Sequence, residues 1–176
     1  VILGLETLKS IVIAASAYHV LGIKVSGYRY PHGGLWVHSL YTATVAQEIA
    51  RYVGLENIEE IFIAALLHDV GKIALGEEIE AHEPEMIEVL SRTQASFEMV
   101  EKAVIGINHA EAGAMVVKVW NLPSIYQDTI GFHHYPSAAD KYKEMIACVH
   151  LADMIAIEAG TSSGLEGILY KIDRSA

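Results

Sequence analysis

The sequence is poor in cysteine. Cys148 is the only cysteine among 176 residues, so no disulfide can form within the chain. Its neighbours Ala147 and Val149 are apolar, which predicts a buried and chemically inert thiol. A lone buried thiol suits a reducing compartment, and we therefore expect a cytoplasmic location.

Basic residues and long apolar runs are also scarce. Lysine and arginine total 12 against 22 aspartates and glutamates, which gives a formal net charge of −10. This balance argues against binding to nucleic acid or to an anionic membrane. No uninterrupted apolar stretch approaches the roughly 20 residues of a membrane span, and no cleavable leader is visible at the start. The sequence thus predicts a soluble protein.

The apolar residues, 52% of the chain, recur mainly with the period of an α-helix. Alternation of period two, hairpin turns, internal repeats and linkers were not found. The sequence therefore predicts one all-α domain, a helical bundle over residues 1–176. The predicted helices cover residues 4–20, 35–53, 83–92, 97–105, 109–120, 123–133 and 141–158.

Three local patterns add detail to this prediction. Asn57 and Glu60 resemble a capping box that opens a further helix through His68, and Gly71 is expected to break or bend that helix. Residues 22–34 are rich in glycine and aromatic residues and predict a loop. We expect this loop to be a plain exposed turn, with a recognition loop built on Tyr28, Arg29, Tyr30 and His32 as the alternative. The apolar, uncapped opening of the chain predicts that N-terminal helices of a larger element are missing.

The sharpest motif is the stretch from Leu66 to Lys72, Leu-Leu-His-Asp-Val-Gly-Lys, in which an apolar helix ends in adjacent imidazole and carboxylate groups. Packing holds such a pair on one side while the other side can face a cation, and the two oxygens of Asp69 can bridge two cations. Lys72 lies one turn further on and can meet a phosphate oxygen. An isolated His68-Asp69 pair would more often do no more than cap a helix C-terminus.

The pair is not isolated, because other imidazoles fall at predicted helix starts and ends. A donor set of nitrogen and carboxylate oxygen without cysteine suits Fe, Mn, Zn, Ni or Co. The neighbours His133 and His134 cannot easily face the same way on a regular helix, so one is expected to be a ligand and the other to lie behind it or in the core. His150, three residues before Asp153, is expected to be a packed core histidine. The predicted metal ligands are His38, His68, Asp69, His109, His133, His134 and Asp153, and the predicted catalytic residues are Asp69 and Lys72.

These residues and their surroundings resemble the HD superfamily of metal-dependent phosphohydrolases, whose pattern is a His, then His-Asp, then a distant Asp. The resemblance is nearest to the HDOD branch and extends from about Leu3 to Ala156. His109, His133 and His134 match the additional ligands of the related HD-GYP branch. The motifs that carry the HDOD resemblance are Leu-Trp-Val-His-Ser at 35–39, the His68-Asp69 stretch, His-Ala-Glu-Ala-Gly at 109–113, Trp-Asn-Leu-Pro at 120–123, His-His-Tyr-Pro at 133–136 and Leu-Ala-Asp at 151–153.

The chain also departs from both branches. Tyr135-Pro136-Ser137 stands where HD-GYP proteins have an acidic residue and a Gly-Tyr-Pro loop, which argues against a cyclic dinucleotide phosphodiesterase of that type. HDOD proteins are usually regulatory modules that often lack some of the metal ligands, whereas this chain keeps the full set.

The resemblance implies an HDOD-type signal-transduction domain with an HD metal site of one to three divalent cations (Fe, Mn, Ni or Zn). In its catalytic form the site would hydrolyse a nucleotide or another small phosphoester. The alternative is a non-catalytic module that binds a signalling protein and uses the metal structurally. A third reading is a nucleotide sensor without turnover.

Overall fold

The computed structural model describes residues 5–162, with side chains from residue 8 onward. Gly4 of the first predicted helix, and the parts of the predicted domain before residue 5 and after residue 162, lie outside the described residues. Within them the fold is all-α, as predicted, and pairing of the β type is limited to one bridge between Val25 and Tyr30. The helices are α1 (Leu5–Leu21), α2 (Gly34–Val53), α3 (Ile58–Leu67), α4 (Gly71–Ala81), α5 (Glu83–Arg92), α6 (Phe97–Ile105), α7 (His109–Val119), α8 (Ser124–Phe132) and α9 (Lys143–Glu158), with short 3₁₀ turns at Ser26–Tyr28 and Pro136–Ala138.

Two groups of helices form the core. Helix α2 packs along α3 and α9, and α7 packs along α8 and α4. Alanines that are fully excluded from solvent line the first group and let its helix backbones approach closely; they are Ala43, Ala46 and Ala50 on α2, Ala64 and Ala65 on α3, and Ala152 and Ala156 on α9. Helices α3, α8 and α9 also contact one another, and they join the two groups.

The helix that was predicted to bend or break at Gly71 ends earlier, at Leu67, and Gly71 begins a further helix, α4, which the sequence analysis missed. The apolar stripe of α4 is weak because Gly71 and Gly76 occupy buried positions on it. The reason for glycine is a close approach between α4 and α7: a Cβ atom at Gly71 would lie 1.9 Å from the backbone oxygen of His109. A side chain there would force α4 away from the start of α7.

The predicted capping box at Asn57 does not form, and Asn108 forms one instead. Asn57 has ψ 52° and its side chain caps no backbone N–H, because an N-cap residue normally needs extended backbone for its side chain to reach the helix. Asn108 has ψ 168°, its side-chain oxygen accepts from the backbone N–H of Glu111, and its own backbone N–H donates to the Glu111 carboxylate. This box fixes the first turn of α7.

The expectation of a plain exposed turn between α1 and α2 is also wrong. Tyr28 and Tyr30 are only 1% and 2% exposed, because the 3₁₀ turn packs directly on α4. A Cβ atom at Gly27 would lie 2.3 Å from the backbone oxygen of Gly76. Arg29 and His32 do remain exposed, and Arg29 pairs with Glu83.

Among the described helices, none combines the length and the apolar content that crossing a membrane would need.

Candidate metal centre

The structure brings every residue predicted for the metal site to one buried place, where helix ends and the flank of α9 meet. The imidazoles and carboxylates of this His/Asp centre are between 0% and 9% exposed. Its members are His38 on α2, His68 and Asp69 after α3, His109 at the start of α7, His133 and His134 after α8, and Asp153 on α9. Three sets of donor atoms each lie within 4.8 Å of one another; they are His38, His68 and Asp153; His68, Asp69 and His133; and His109, His133 and His134.

One side of the centre is rich in carboxylate. The Nε2 atom of His38 lies 3.1 Å from Oδ1 of Asp153 and 3.4 Å from Oδ2 of Asp69. The Nε2 atom of His68 lies 3.5 Å and 3.3 Å from the same two oxygens. We call this group of His38, His68, Asp69 and Asp153 the carboxylate-rich position.

The other side is built from histidines alone. The Nε2 atoms of His109 and His134 are 2.7 Å apart, and the rings of His133 and His134 have centroids 4.0 Å apart. We call this group of His109, His133 and His134 the histidine-rich position. Asp69 lies between the two positions, because its Oδ1 atom is 3.5 Å from Nε2 of His109 and 3.9 Å from Nε2 of His133. A carboxylate with one oxygen facing each group has the arrangement needed to bridge two cations.

Backbone carbonyls fix the orientation of two rings. Nδ1–H of His68 donates to the Ala65 carbonyl and Nδ1–H of His133 donates to the Ile130 carbonyl, both at 2.7 Å. Because the proton is held on Nδ1, the lone pair of the neutral ring is on Nε2. Nδ1 of His38 is held in the same way, 3.1 Å from the hydroxyl of Thr161. The Nε2 atoms that face the centre are therefore the ones that can bind a cation.

The buried donors fit a metal because hydrogen bonds leave them unsatisfied. Nε2 of His38, His68 and His133 and Oδ1 of Asp153 are inaccessible to solvent and have no hydrogen-bond partner; the close contacts described above are ion-pair contacts without hydrogen-bond geometry. A divalent cation would satisfy all of these buried atoms, and nitrogen with carboxylate oxygen is a donor set that Fe, Mn, Ni and Zn accept.

Burial and neighbouring charges shift the pKa values at the two positions in different ways. Burial by itself lowers the pKa of His68, but Asp69 and Asp153 outweigh it and raise that pKa to about 10; the pKa of His38 is raised for the same reason. Burial raises the pKa of both carboxyls, but the neighbouring cationic groups outweigh it and hold the pKa of Asp69 and of Asp153 well below the usual range. Without a metal, the carboxylate-rich position is thus a cluster of ion pairs.

The histidine-rich position behaves in the opposite way. Burial, together with the charges of His68 and His109, lowers the pKa of His133 to about 3, and burial with the charges of His133 and His109 keeps that of His134 well below its ordinary value. Both rings are neutral at physiological pH and can offer lone pairs. His109 has a raised pKa because Glu101 outweighs the effect of burial.

Lys72 is not an ordinary solvated lysine. Its side chain is buried, and Nζ lies 2.5 Å from Oδ2 of Asp69. The ammonium group also lies 5.6 Å and 5.7 Å from the ring centroids of Tyr30 and Tyr28. The ammonium group of Lys72 is therefore held beside Asp69, the carboxylate that links the two positions.

The reasoning that only one of His133 and His134 could face the site does not hold. Helix α8 ends at Phe132, so the two residues lie in a turn rather than on a regular helix, and both rings reach the centre. His150 is a buried core histidine, as expected, and its Nδ1 lies 2.8 Å from the carbonyl oxygen of His133. It supports the turn that carries His133.

Sequence reasoning missed two residues that contact His109. Glu101 on α6 is fully buried and its Oε2 atom lies 2.7 Å from Nδ1 of His109; its Oε1 atom accepts a hydrogen bond from Tyr28. A signal was present, since Glu101 follows Phe97 by four residues and so occupies the apolar face of its helix. No local pattern linked Tyr28 to it, because the two residues are 73 positions apart.

A small cavity borders the centre. It is lined by Lys72, His109, His134 and Asp153 of the centre and its surroundings and by Phe97, Glu98 and Ile157, and its volume is about 10 Å³. That is room for about one water molecule.

Comparison with known proteins gives a consistent result. A family model described as HDOD domain matches residues 1–136. An uncharacterized protein of Treponema pallidum (strain Nichols) is 32% identical over 126 residues, which are 68% of this chain and 24% of that protein. The chain thus spans about a quarter of the length of this curated relative.

Two solved structures share the fold. One is an HDOD domain protein with unknown function from Geobacter sulfurreducens, with a TM-score of 0.75 and 27% identity over 97% of this chain and 56% of that chain. The other is a presumed phosphohydrolase from Shewanella amazonensis SB2B, with a TM-score of 0.70 and 24% identity over 90% of this chain and 57% of that chain. At this identity the second likeness concerns the fold alone. The chain spans little more than half of either protein.

Proposed function

This chain belongs to the HDOD domain family, and we propose that it is a signal-transduction domain whose His/Asp centre binds divalent cations and hydrolyses a nucleotide or another small phosphoester. The observation that carries this proposal is the convergence of four buried, unsatisfied donor atoms from His38, His68, His133 and Asp153. Such atoms are rare in folded proteins unless an ion or a water molecule completes them.

The proposed metal site has up to three cations of Fe, Mn, Ni or Zn. One cation would be held at the carboxylate-rich position. A second would be held at the histidine-rich position, with Asp69 between them. The net charge of −10 favours cation binding. The carboxylates of Asp69 and Asp153 would offset part of the buried positive charge of the cations.

For hydrolysis, the bound cations would supply Lewis acidity towards a phosphoryl oxygen and towards water. Lys72 would contribute a fixed positive charge beside the reacting phosphate, because its ammonium group is held 2.5 Å from Asp69 and cannot swing into solvent from a buried position. Asp69 would orient both the cations and Lys72. Neutral His133 and His134 would act as metal ligands, and the metal ions and Lys72 would stabilise the charge of the phosphate.

The first test is elemental analysis of the untagged protein, purified without chelators, beside the His68→Ala/Asp69→Ala variant and the His19→Ala control. His19 is exposed on α1, so this control removes an imidazole without touching the centre. One to three equivalents of Fe, Mn, Ni or Zn in the wild type and the control, and none in the double variant, are expected. A wild type without metal even after reconstitution would remove the basis of the proposal.

Hydrolysis is then tested with the metal-loaded protein on a panel of nucleotides and small phosphoesters. Turnover that is lost in the double variant and kept in His19→Ala supports an enzyme. Identical rates in the wild type and the double variant would contradict it.

A second candidate function is favoured by the closure of the site. The cavity of about 10 Å³ is too small for a phosphoester unless α6 or the turn at Tyr135 moves. In this alternative the metal has no substrate, fixes the helix ends, and supports a surface that binds a signalling protein. Metal-dependent thermal stability together with an absence of turnover across the panel is the result that this alternative expects.

A further inference from the structure

Two linked residues, Glu101 and Tyr28, are hydrogen-bonded in series behind His109, on the side of its ring that faces away from the His/Asp centre. The Oε2 atom of Glu101 accepts from the backbone N–H of His109 at 2.9 Å and from its Nδ1–H at 2.7 Å. The Oε1 atom accepts from the Tyr28 hydroxyl at 2.5 Å. Glu101 and Tyr28 are 0% and 1% exposed, so water does not compete for these bonds.

This arrangement does more than fill space. A buried carboxylate is costly unless its oxygens receive hydrogen bonds, and Glu101 accepts two such bonds from a single histidine. The double attachment holds both the main chain and the ring of His109. The Tyr28 ring stands edge-on to the His109 ring, with centroids 6.2 Å apart and an angle of 87° between the planes. The ring of His109 is therefore held in position and in rotation.

The attachment also selects the nitrogen that faces the centre. Since Nδ1 carries the proton donated to Glu101, the lone pair of the neutral ring is on Nε2. That atom lies 2.7 Å from Nε2 of His134 and 3.5 Å from Oδ1 of Asp69. A carboxylate behind a ligating imidazole also makes the ring a stronger donor.

We propose that Glu101 and Tyr28 are positioning residues for a divalent cation at the histidine-rich position, with Glu101 holding the His109 ring and Tyr28 holding Glu101. The proposal rests on the metal site proposed above and deepens it, because it assigns a different support to each position. The rings of the carboxylate-rich position are held by the Ala65 carbonyl and the Thr161 hydroxyl. Loss of Glu101 is therefore expected to weaken cation binding at the histidine-rich position and to leave binding at the carboxylate-rich position unchanged.

The chain offers a matched control on the same helix. Glu98 precedes Glu101 by three residues and is also buried, at 6% exposed, but its carboxylate bonds to Ser96 and Tyr135. Glu98→Gln removes a buried negative charge from α6 without changing the support of His109. The variants to compare with the wild type are Glu101→Gln, Tyr28→Phe, Glu98→Gln and, as markers for the two positions, His109→Ala and His38→Ala.

The experiment titrates the full metal-free chain with Co²⁺ and follows both the affinity and the visible absorption bands of the bound ion. In Glu101→Gln we expect the binding step that His109→Ala abolishes to weaken about 10- to 100-fold, with altered bands, while the step that His38→Ala abolishes is unchanged. Tyr28→Phe, which keeps the carboxylate, is expected to weaken the same step by less. Glu98→Gln, which leaves both bonds between Glu101 and His109 in place, is expected to weaken this step by much less than Glu101→Gln does.

Three results would overturn the inference. Equal affinities and spectra in Glu101→Gln and the wild type would refute it while leaving the metal site intact. An equal loss in Glu98→Gln and Glu101→Gln would show a general effect of charge on α6. A wild type that binds no Co²⁺ would refute the proposed metal site and this inference together.

A second measurement decides the matter if Glu101→Gln does not fold, as judged by circular dichroism. Nitrogen-15 spectra of the Zn²⁺-loaded wild type report which ring nitrogen of His109 carries the proton. A protonated Nδ1 with a strongly hydrogen-bonded proton is expected. A proton on Nε2 would overturn the proposal, because that nitrogen could not then be the ligand.

Discussion

The Nε2 atoms of His109 and His134 lie 2.7 Å apart although the residues are 25 positions apart in the chain. Two ring nitrogens at this separation repel unless a proton or a cation lies between them. A proton on His109 can take this place when no metal is bound, because Glu101 raises the pKa of His109 while burial lowers that of His134. The contact therefore marks a place where a metal and a proton exclude each other.

Metal affinity should rise with pH because of such protons. The pKa of His68 is raised to about 10, and those of His38 and His109 are raised as well, so these rings hold protons at neutral pH that a cation must displace. Affinity for Ni²⁺ is expected to increase across pH 6 to 8 by up to about tenfold per pH unit for each displaced proton. Calorimetry in two buffers of different ionisation enthalpy counts the protons released.

Ordinary histidines would give a different curve. With pKa values of about 6.5, most rings would already be neutral by pH 7.5 and the affinity for the metal would level off there. A plateau between pH 7 and 8, with little proton release, would contradict the cluster of ion pairs at the carboxylate-rich position.

Asp153→Asn should destabilise the metal-free protein and reduce its stabilisation by metal, because the carboxylate-rich position loses a ligand while the histidine-rich position keeps its own. Asp153 faces the buried rings of His38 and His68 at 3.1 Å and 3.5 Å, and breaking a buried ion pair costs about 3–5 kcal/mol. In the wild type, a cation at 100 times its Kd should add about 2.7 kcal/mol of stability. Thermal unfolding with and without Zn²⁺ measures both effects.

Asp140→Asn is the control for that variant, because Asp140 is exposed. Its melting temperature, and the increase of that temperature with Zn²⁺, should match those of the wild type. A stabilisation by Zn²⁺ as large in Asp153→Asn as in the wild type would mean that Asp153 is not a ligand.

Gly71→Ala should destabilise the protein and disturb the His/Asp centre. Its Cβ would lie 1.9 Å from the backbone oxygen of His109 and 2.5 Å from the backbone nitrogen of Gly113, so α4 and α7 must separate. Overpacking of this kind costs about 1–3 kcal/mol and sometimes more. Urea unfolding gives the loss, and weaker binding at the histidine-rich position is expected to accompany it.

Gly131→Ala is the matched helical control. The nearest atom to its Cβ, on Ala114, is 3.4 Å away, which is ordinary contact, and alanine favours a helix over glycine by roughly 1 kcal/mol. This variant should be neutral or more stable. A Gly71→Ala protein as stable as Gly131→Ala would contradict the close approach of α4 and α7.

The thiol of Cys148 should be inert in the folded protein. Burial raises its pKa to about 11, and Sγ donates to the Ala46 carbonyl at 3.1 Å. At pH 8 we expect reaction with an aromatic disulfide reagent to be roughly 100-fold slower or more than in the unfolded chain, because little thiolate is present. Absorbance of the released thiolate follows the reaction, and equal rates in native and guanidinium-unfolded protein would count against a buried thiol.

Much of the helical pattern could be predicted from the sequence, because each surface helix repeats an apolar stripe. Helices α5 and α6 have the predicted bounds, and their amphipathic pattern is strong. Helix α4 escaped prediction because Gly71 and Gly76 remove its apolar stripe, and the capping box at Asn57 was wrong because a side-chain cap depends on a backbone angle that sequence does not reveal.

The sequence by itself determined the all-α class, the family, and which imidazoles and carboxylates could meet, since residue type limits donor chemistry. Only the tertiary structure decided that His133 and His134 both reach the centre, that Lys72 is buried against Asp69, and that Glu101 and Tyr28 support His109. Each of these depends on where a helix ends or on which helix packs behind a ring. Such relationships join residues far apart in the chain, and they arise only when the helices pack.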